Sequence, residues 1–314
     1  MLPQLIIDTD PGIDDTMALF YALSAPEFDI TGITTVFGNA PTSVCTTNAL
    51  RILEIADRRD IPVAAGAQRP LTSIANAFPD FIHGSDGQGN IHLPAPQTEA
   101  ADQHAVQFLI DAITNAPGEI TLVTLAPLTN IAMALLIHPD LAQSIREIVM
   151  MGGNAFVPGN ATPTAEANIW NDPEAADIVF AADCPITMIG LDVTEKVKMS
   201  PAQLDSIGQH YNPRTAHLGR ILPFYRAFHR ERYGFDGIHI HDSTTISYLL
   251  RPDLFKTVRY PICVETLGIS RGKTWPALSR SDHEDAWTGR RAVNICVGLD
   301  GEAAVEMELD RLRT

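Results

Sequence analysis

Four carboxylates crowd into eight residues near the amino terminus, in the run Asp8-Thr9-Asp10-Pro11-Gly12-Ile13-Asp14-Asp15. The run follows the apolar Leu5-Ile6-Ile7 directly and leads into TMALFYALSA, whose apolar residues recur at helical spacing. Like charges bent together by Pro11-Gly12 repel one another unless something positive sits among them, and a hard divalent cation is the economical candidate. Strand, glycine-containing turn and helix also describe the carboxyl end of a parallel strand, where open α/β sheets place their ligands. An acidic, solvated turn capping a helix is the plainer alternative.

If a metal sits there, Asp10 and Asp15 are its natural ligands, completed by oxygens from other strand ends. Asp242, directly after His241 and before a helical run, offers a third carboxylate. The turn LAPLTN, after the expected strand EITLVTL, can aim a backbone carbonyl into the same crevice. An EF-hand is excluded: its loop ends on a bidentate acid, and counting twelve residues from Asp8 reaches Leu19. A second constellation, GNATPTAEANIWNDP, sets Asn160, Glu166, Asn168 and Asn171 beside Trp170 in a polar loop after the strand REIVMM. Amides and a carboxylate so close to a strand end suit several hydroxyl groups, as on a sugar; an Asn-rich turn satisfying its own backbone is equally compatible. His83, His239 and His241 fall in expected loops, where imidazole can donate a proton near neutral pH.

Positioning these groups requires a scaffold, and the chain alternates strand and helix patterns for its first two-thirds. FDITGITTVFGN and IPVAAGA read as strands around the helix NALRILEIADRRD, and a polar stretch from Arg69 to Glu99 with HGSDGQGN at its centre reads as a long functional loop. AADQHAVQFLIDAITNAPG, LTNIAMALLIHPD and DPEAADIVFAAD read as helices, the last with Asp172 as N-cap and Pro173 in its first turn. EITLVTL, REIVMMGG and PITMIGLDVT are the intervening strands. This rhythm predicts a single large α/β domain over residues 1–314, with a mainly parallel, Rossmann-like doubly wound sheet. Additional helices are expected toward the carboxyl-terminal third, across 200–233, from Asp242, and in the closing GEAAVEMELDRLRT; between Lys256 and Asp300 the β-rich runs TVRYPICVETL and RAVNICVGLD are expected, separated by a polar loop.

Composition narrows the partners. Hydrophobic residues at 45% and charged ones at 19% give a globular balance rather than that of a disordered chain. A net charge of −16 opposes a phosphate backbone, so no nucleic acid is expected. Cys45, Cys184, Cys263 and Cys296 are scattered in apolar surroundings without CxxC spacing and read as buried thiols. MLPQLIIDTD has no basic signal-peptide start and no apolar run reaches spanning length, so no membrane partner and a cytoplasmic location are expected.

DTDPGIDD, TTVFGN, HGSDG, LAPLTN, MGGN, the block GNATPTAEANIWNDPEAA and finally His241-Asp242, in that order over essentially the whole chain, resemble the inosine-uridine preferring nucleoside hydrolase family. The resemblance implies hydrolysis of the N-glycosidic bond of ribonucleosides, releasing base and ribose with a bound Ca²⁺. It assigns the cation to Asp10, Asp15, Asp242 and the main-chain carbonyl of Leu125, with Asp10 also taking a proton from the calcium-bound water. Asp14, Asn39, Asn160, Glu166 and Asn168 are implied as contacts to ribose hydroxyls or to the water, Met151 as packing beside the sugar, and Asp8 as support for the turn. His241 becomes the acid for the leaving base; His83, Tyr225 and His239 are further candidates on the base side. A small-molecule ribonucleoside as partner, a role in nucleoside salvage and a homodimer or homotetramer follow from the same resemblance. His229 stands where another aromatic is expected and Ser243 where proline is usual, which leaves base preference open, leaning to pyrimidine or mixed.

Two other classes share part of these features. A haloacid-dehalogenase-like phosphatase also opens on an apolar strand and DxD, but wants a hydroxyl or β-branched residue near Pro11 and Gly12 and leaves the Asn160 to Asn168 block idle. A non-catalytic, calcium-dependent sugar-binding protein would use the same cation and hydroxyl ligands without a base for water.

Overall fold

The opening apolar run becomes the middle of a sheet. In a computed structural model describing residues 2–72, 75–209, 212–278 and 286–314, β1 (Gln4–Thr9) and α1 (Ile13–Leu23) are followed by β2 (Asp29–Thr35), α2 (Thr42–Ile55) and β3 (Val63–Ala65). The next connection carries the short α3 (Asp80–His83) before α4 (Ala105–Asn115), β4 (Ile120–Thr124), α5 (Thr129–Ile137) and α6 (Leu141–Ser144). Then come β5 (Glu147–Met151), α7 (Ala167–Asn171), α8 (Pro173–Ala181), β6 (Ile186–Ile189) and α9 (Leu191–Thr194). The last third adds β7 (Lys198–Met199), α10 (Pro201–Ile207), α11 (Pro213–Tyr233), β8 (Ile238–His239) and α12 (Asp242–Leu250). It closes with β9 (Phe255–Tyr260), β10 (Ile262–Val264), β11 (Thr274–Pro276), β12 (Val293–Leu299) and α13 (Gly301–Arg313).

Eight strands pair in the order β3-β2-β1-β4-β5-β6-β12-β9. All neighbours are parallel except β9, which runs antiparallel to β12 at the edge. Side chains alternate faces along a strand. Leu5 and Ile7 of β1 therefore join one core with α1, α2, α11 and α13, while Ile6 joins the other with α4, α5 and α8. Each such fully buried aliphatic side chain stabilises the fold by about 1.5–3 kcal/mol, which is why the continuous apolar run LII sits at the centre, covered on both sides. Strand order reverses between β1 and β4: from β1 the chain winds outward through β2 and β3, then returns to β4 and winds the other way. The carboxyl ends of β1 and β4 are thus the topological switch point of the sheet.

The mainly parallel α/β fold matches expectation, and the four cysteines are buried. Asp172 caps α8 as expected, accepting from the Ala175 N–H at 3.1 Å. Three local expectations need correction. The strand expected over PITMIGLDVT stops at Ile189, because the Asp192 carboxylate accepts from Ala155 and Phe156 N–H at 2.7 and 2.8 Å and draws the next residues off the sheet as α9. The block expected as a polar loop contains α7, whose first turn is capped by Glu166. The polar segment before β12 contains β11, paired with β10. Among the described residues no helix is long and apolar enough to cross a membrane.

Candidate active site

Four neighbouring parallel strands deliver one candidate site residue each from their carboxyl ends. Asn39 follows β2, Asp10 follows β1, Leu125 follows β4 and Met151 closes β5. Asp242 arrives from the far end of the sequence because α12 packs along α1, bringing its first residue beside Asp14 and Asp15. A cavity of about 520 Å³ opens over this floor; Asp14, Asn39, Leu125, Met151, Asn168 and Asp242 are among the residues lining it.

The octapeptide is held by a dense set of hydrogen bonds. Asp15 accepts from Thr9 Oγ1 at 2.5 Å, Gly12 N–H at 3.1 Å and Asn39 Nδ2 at 2.8 Å. Asp10 Oδ2 accepts from the Asn39 N–H at 2.6 Å, while its Oδ1 is buried with no partner among the described residues. Asp8, pointing to the opposite face of β1, accepts from Thr34 Oγ1 at 2.5 Å and Asn130 Nδ2 at 2.8 Å, tying the strand to β2 and α5. Close approach dictates Gly12: a Cβ there would lie 2.7 Å from His83 Nδ1 and 2.8 Å from Asn39 Nδ2. Gly38 answers the same need, since its Cβ would collide with the Asp10 carboxylate.

Burial makes these carboxylates reluctant to ionise together. Desolvation, then the charge of Asp15, holds Asp10 well above the usual carboxylate range. Desolvation, then Asp14, pushes Asp15 up to about 6, and desolvation with Asp15, Asp14 and Asp10 raises Asp242 strongly. Asp8 is pushed to about 7 by burial against its two hydrogen bonds. Oxygens of Asp14, Asp15 and Asp242 lie within 4.8 Å of one another, a spacing that could hold a metal ion. Asp10 adjoins them through its N–H, 3.3 Å from Asp15 Oδ1. An all-oxygen set of this charge suits a hard cation, and a divalent ion would lower every raised carboxyl in it.

The Asn-rich block folds over the same floor. Glu166 accepts from Asn168 N–H at 2.8 Å through Oε1 and from Gly153 N–H at 2.9 Å through Oε2, so it is both the cap of α7 and a wall of the cavity. Asn168 Nδ2 donates to the carbonyls of Leu125 at 3.0 Å and Met151 at 3.2 Å, fixing both strand ends. Asn160 Oδ1 accepts from the Ala167 N–H at 3.0 Å and also lines the cavity.

On the opposite side stand imidazoles and aromatic rings. His83 Nδ1 accepts from the Ile13 N–H at 3.2 Å and its ring stacks on Tyr225, whose hydroxyl donates to Asp14 at 3.1 Å. His241 Nδ1 pairs with Thr194 Oγ1 at 2.9 Å. Burial and the neighbouring imidazoles push His241 down to about 3, so it is neutral near pH 7. His239 does not line the cavity; it is buried behind His241 and His229, in β8. The loop HGSDGQGN sets His83 on the cavity wall, and its remaining residues brace the octapeptide from outside, Gln88 Nε2 donating to the Gly12 carbonyl at 3.2 Å. Asp86 accepts from the N–H groups of Gln88, Asn90 and His92, and Gln88 Nε2 reaches Thr16 Oγ1 at 2.9 Å.

Several lining residues were not anticipated from the sequence, among them Phe228, Arg232, Asn76 and Phe81. Phe228 and Arg232 had a visible signal: with Tyr225 they fall at i, i+3 and i+7 on α11 and share one face. His229, in the place expected of an aromatic, packs edge-on to Tyr225 with ring centroids 4.4 Å apart. Asn76 had none, because its place depends on a bond to Asn171 at 3.0 Å across the cavity wall.

Known proteins share this arrangement. The family model described as inosine-uridine preferring nucleoside hydrolase matches residues 5–306. Uridine nucleosidase 1 of Arabidopsis thaliana is 39% identical over 305 residues, covering 96% of this chain and 91% of that one. The pyrimidine-specific ribonucleoside hydrolase of Photobacterium profundum is 44% identical over 269 residues, covering 85% and 86%. A solved plant nucleoside hydrolase superposes with a TM-score of 0.97 at 37% identity over 100% of both chains. The purine-preferring ribonucleoside hydrolase of Gardnerella vaginalis superposes at 0.89 with 30% identity, over 99% and 98%.

Proposed function

The chain belongs to the inosine-uridine preferring nucleoside hydrolase family and is a ribonucleoside hydrolase, and from that premise we propose how its residues divide the work. Asp10, Asp15, Asp242 and the Leu125 carbonyl hold Ca²⁺, with Asp14 at the edge of the set. When bound, the cation supplies a fixed positive charge that anchors vicinal ribose hydroxyls and makes a water more acidic. Asp10 keeps Oδ2 on the Asn39 N–H and offers Oδ1 to the proton of the attacking water. Asn160, Glu166 and Asn168 bind ribose hydroxyls; Glu166 Oε1 has one backbone donor and a lone pair to spare. Asn39 acts mainly as the brace between Asp10 and Asp15, and Met151 packs beside the sugar.

As the bond between C1′ and the base nitrogen breaks, its electron pair leaves with the base and the ribosyl group becomes cationic. The carboxylate floor stabilises that charge. His241, neutral in its buried setting, presents Nε2–H to the departing base while Nδ1 accepts from the Thr194 hydroxyl. Tyr225 and Phe228 flank the base.

Asp10 Oδ1 carries the most weight here. A buried carboxylate oxygen without a partner, beside the carboxylates of Asp15 and Asp14 beneath the cavity, is costly in an inert helix cap and useful as a proton acceptor. We further propose pyrimidine nucleosides as preferred substrates, on the strength of the relatives named for uridine and pyrimidines. The test is release of reducing sugar from uridine, cytidine, inosine and adenosine, with and without a calcium chelator. Uridine should be cleaved fastest, and chelation should abolish the reaction until Ca²⁺ is restored. Hydrolysis of p-nitrophenyl phosphate with no sugar released from any nucleoside would overturn the proposal in favour of phosphatase chemistry.

A further inference from the structure

Behind the base side of the cavity, His229 of α11, His239 of β8 and His241 at the start of α12 bring one ring nitrogen each within 4.8 Å of one another. All three side chains are buried. His229 Nδ1 lies 3.0 Å from the Tyr225 carbonyl, which can only accept, so this nitrogen carries the proton and the neutral ring presents a bare Nε2. That Nε2 is buried without a hydrogen-bond partner among the described residues, and so is His239 Nδ1. Leaving one buried polar atom unsatisfied costs about 1–3 kcal/mol; two such atoms on neighbouring rings, with centroids 5.4 Å apart, ask for a ligand.

The surroundings suit a transition-metal ion. Metal-binding histidines usually donate the second ring N–H to a carbonyl or hydroxyl, which fixes the tautomer and aims the free lone pair. His229 does this through the Tyr225 carbonyl; His241 does the same once its proton moves from Nε2 to Nδ1 and the Thr194 hydroxyl, 2.9 Å away, turns from donor to acceptor. Burial lowers His229 and His239 to about 4, so neither ring is blocked by a proton at neutral pH. Tyr233 and Phe235 close the outer side, each with its ring centroid 4.9 Å from that of His239. His229 and His241 both line the cavity, which gives an ion its way in. Three imidazoles without an oxygen ligand select zinc-class ions at about 2.0–2.1 Å, whereas the carboxylate floor selects Ca²⁺.

We propose that His229, His239 and His241 form a second metal site, specific for Zn²⁺-class ions, whose occupation switches the hydrolase off by engaging the His241 nitrogen. The inhibitory half rests on the role given to His241 above; the binding half does not.

Cobalt serves as the probe, added to the calcium-saturated protein. One equivalent of Co²⁺ should produce the visible absorption of a nitrogen-rich, tetrahedral site, and Zn²⁺ should displace it. His239→Gln and His229→Gln should lose the band, while Asp10→Asn should keep it. Zinc inhibition of uridine cleavage should weaken more than about tenfold in His239→Gln. X-ray absorption at the zinc edge of the wild-type protein should show three imidazole ligands, whatever the variants' folding. No cobalt band in the wild type, a band lost in Asp10→Asn but kept in both histidine variants, or oxygen-only zinc coordination overturns the site. A band without zinc inhibition overturns the inhibitory half, and absence of nucleoside cleavage before any zinc is added counts against the hydrolase mechanism instead.

Discussion

Glu308 lies in the core, on α13 where it meets α12, the helix that begins at Asp242. Its side chain is 1% exposed and its Oε1 has no hydrogen-bond partner among the described residues. Burial outweighs the Ser243 hydroxyl beside it and pushes its carboxyl from 4.5 up to about 8. Between those two values the folded protein holds a proton that the unfolded chain has released, so stability must fall as pH rises through that window and level off above it. At about 1.4 kcal/mol for each pH unit, the full effect is roughly 5 kcal/mol. Glu308→Gln keeps the shape and removes the charge. Urea unfolding of both proteins from pH 4.5 to 9, at one fixed calcium concentration, should show the variant gaining on the wild type by roughly 5 kcal/mol across the range, nearly all of it between pH 5 and 8. The buried aspartates titrate in both proteins and cancel in the difference. A stability difference that does not change with pH would show that Glu308 is ionised in the fold and that burial does not govern it.

Three further outcomes test the site itself. Asp10→Asn should lower uridine turnover by about 10²–10⁴-fold while the circular dichroism spectrum stays native, because the amide still accepts from the Asn39 N–H; activity within tenfold of wild type would remove Asp10 as proton acceptor. His241→Ala should slow uridine by a similar factor but p-nitrophenyl riboside, whose leaving group departs unaided, by far less; equal losses would mean His241 does not assist departure. Gly12→Ala should displace His83 or Asn39, which the new Cβ would approach to 2.7 and 2.8 Å, costing about 1–3 kcal/mol. The half-saturating calcium concentration should rise with it, and an unchanged calcium titration would deny Asn39 its bracing role.

Local interactions were legible in the sequence. Helix caps such as Asp172, the strand-helix alternation and the acidic octapeptide depend on residues a few positions apart, and such short-range patterns survive in a one-dimensional string. The ordered motifs that resemble the nucleoside hydrolases pointed to the reaction for the same reason. Features set by distant partners were not legible: the departure of Leu191–Thr194 from the sheet, caused by Asp192 reaching Ala155 and Phe156, and the bracing role of HGSDGQGN, which rests on Gln88 and Thr16.

By itself, then, the sequence determined the chemistry available: which carboxylates, amides and imidazoles exist, and that DTDPGIDD sits at a strand end. The tertiary structure decided which of them meet. Only the order β3-β2-β1-β4-β5-β6 brings the switch point to the octapeptide, and only the packing of α12 along α1 sets Asp242 beside Asp15. Those meetings are fixed by burial of apolar faces contributed from all along the chain, and the side chains that do the chemistry are carried into place by others that do none.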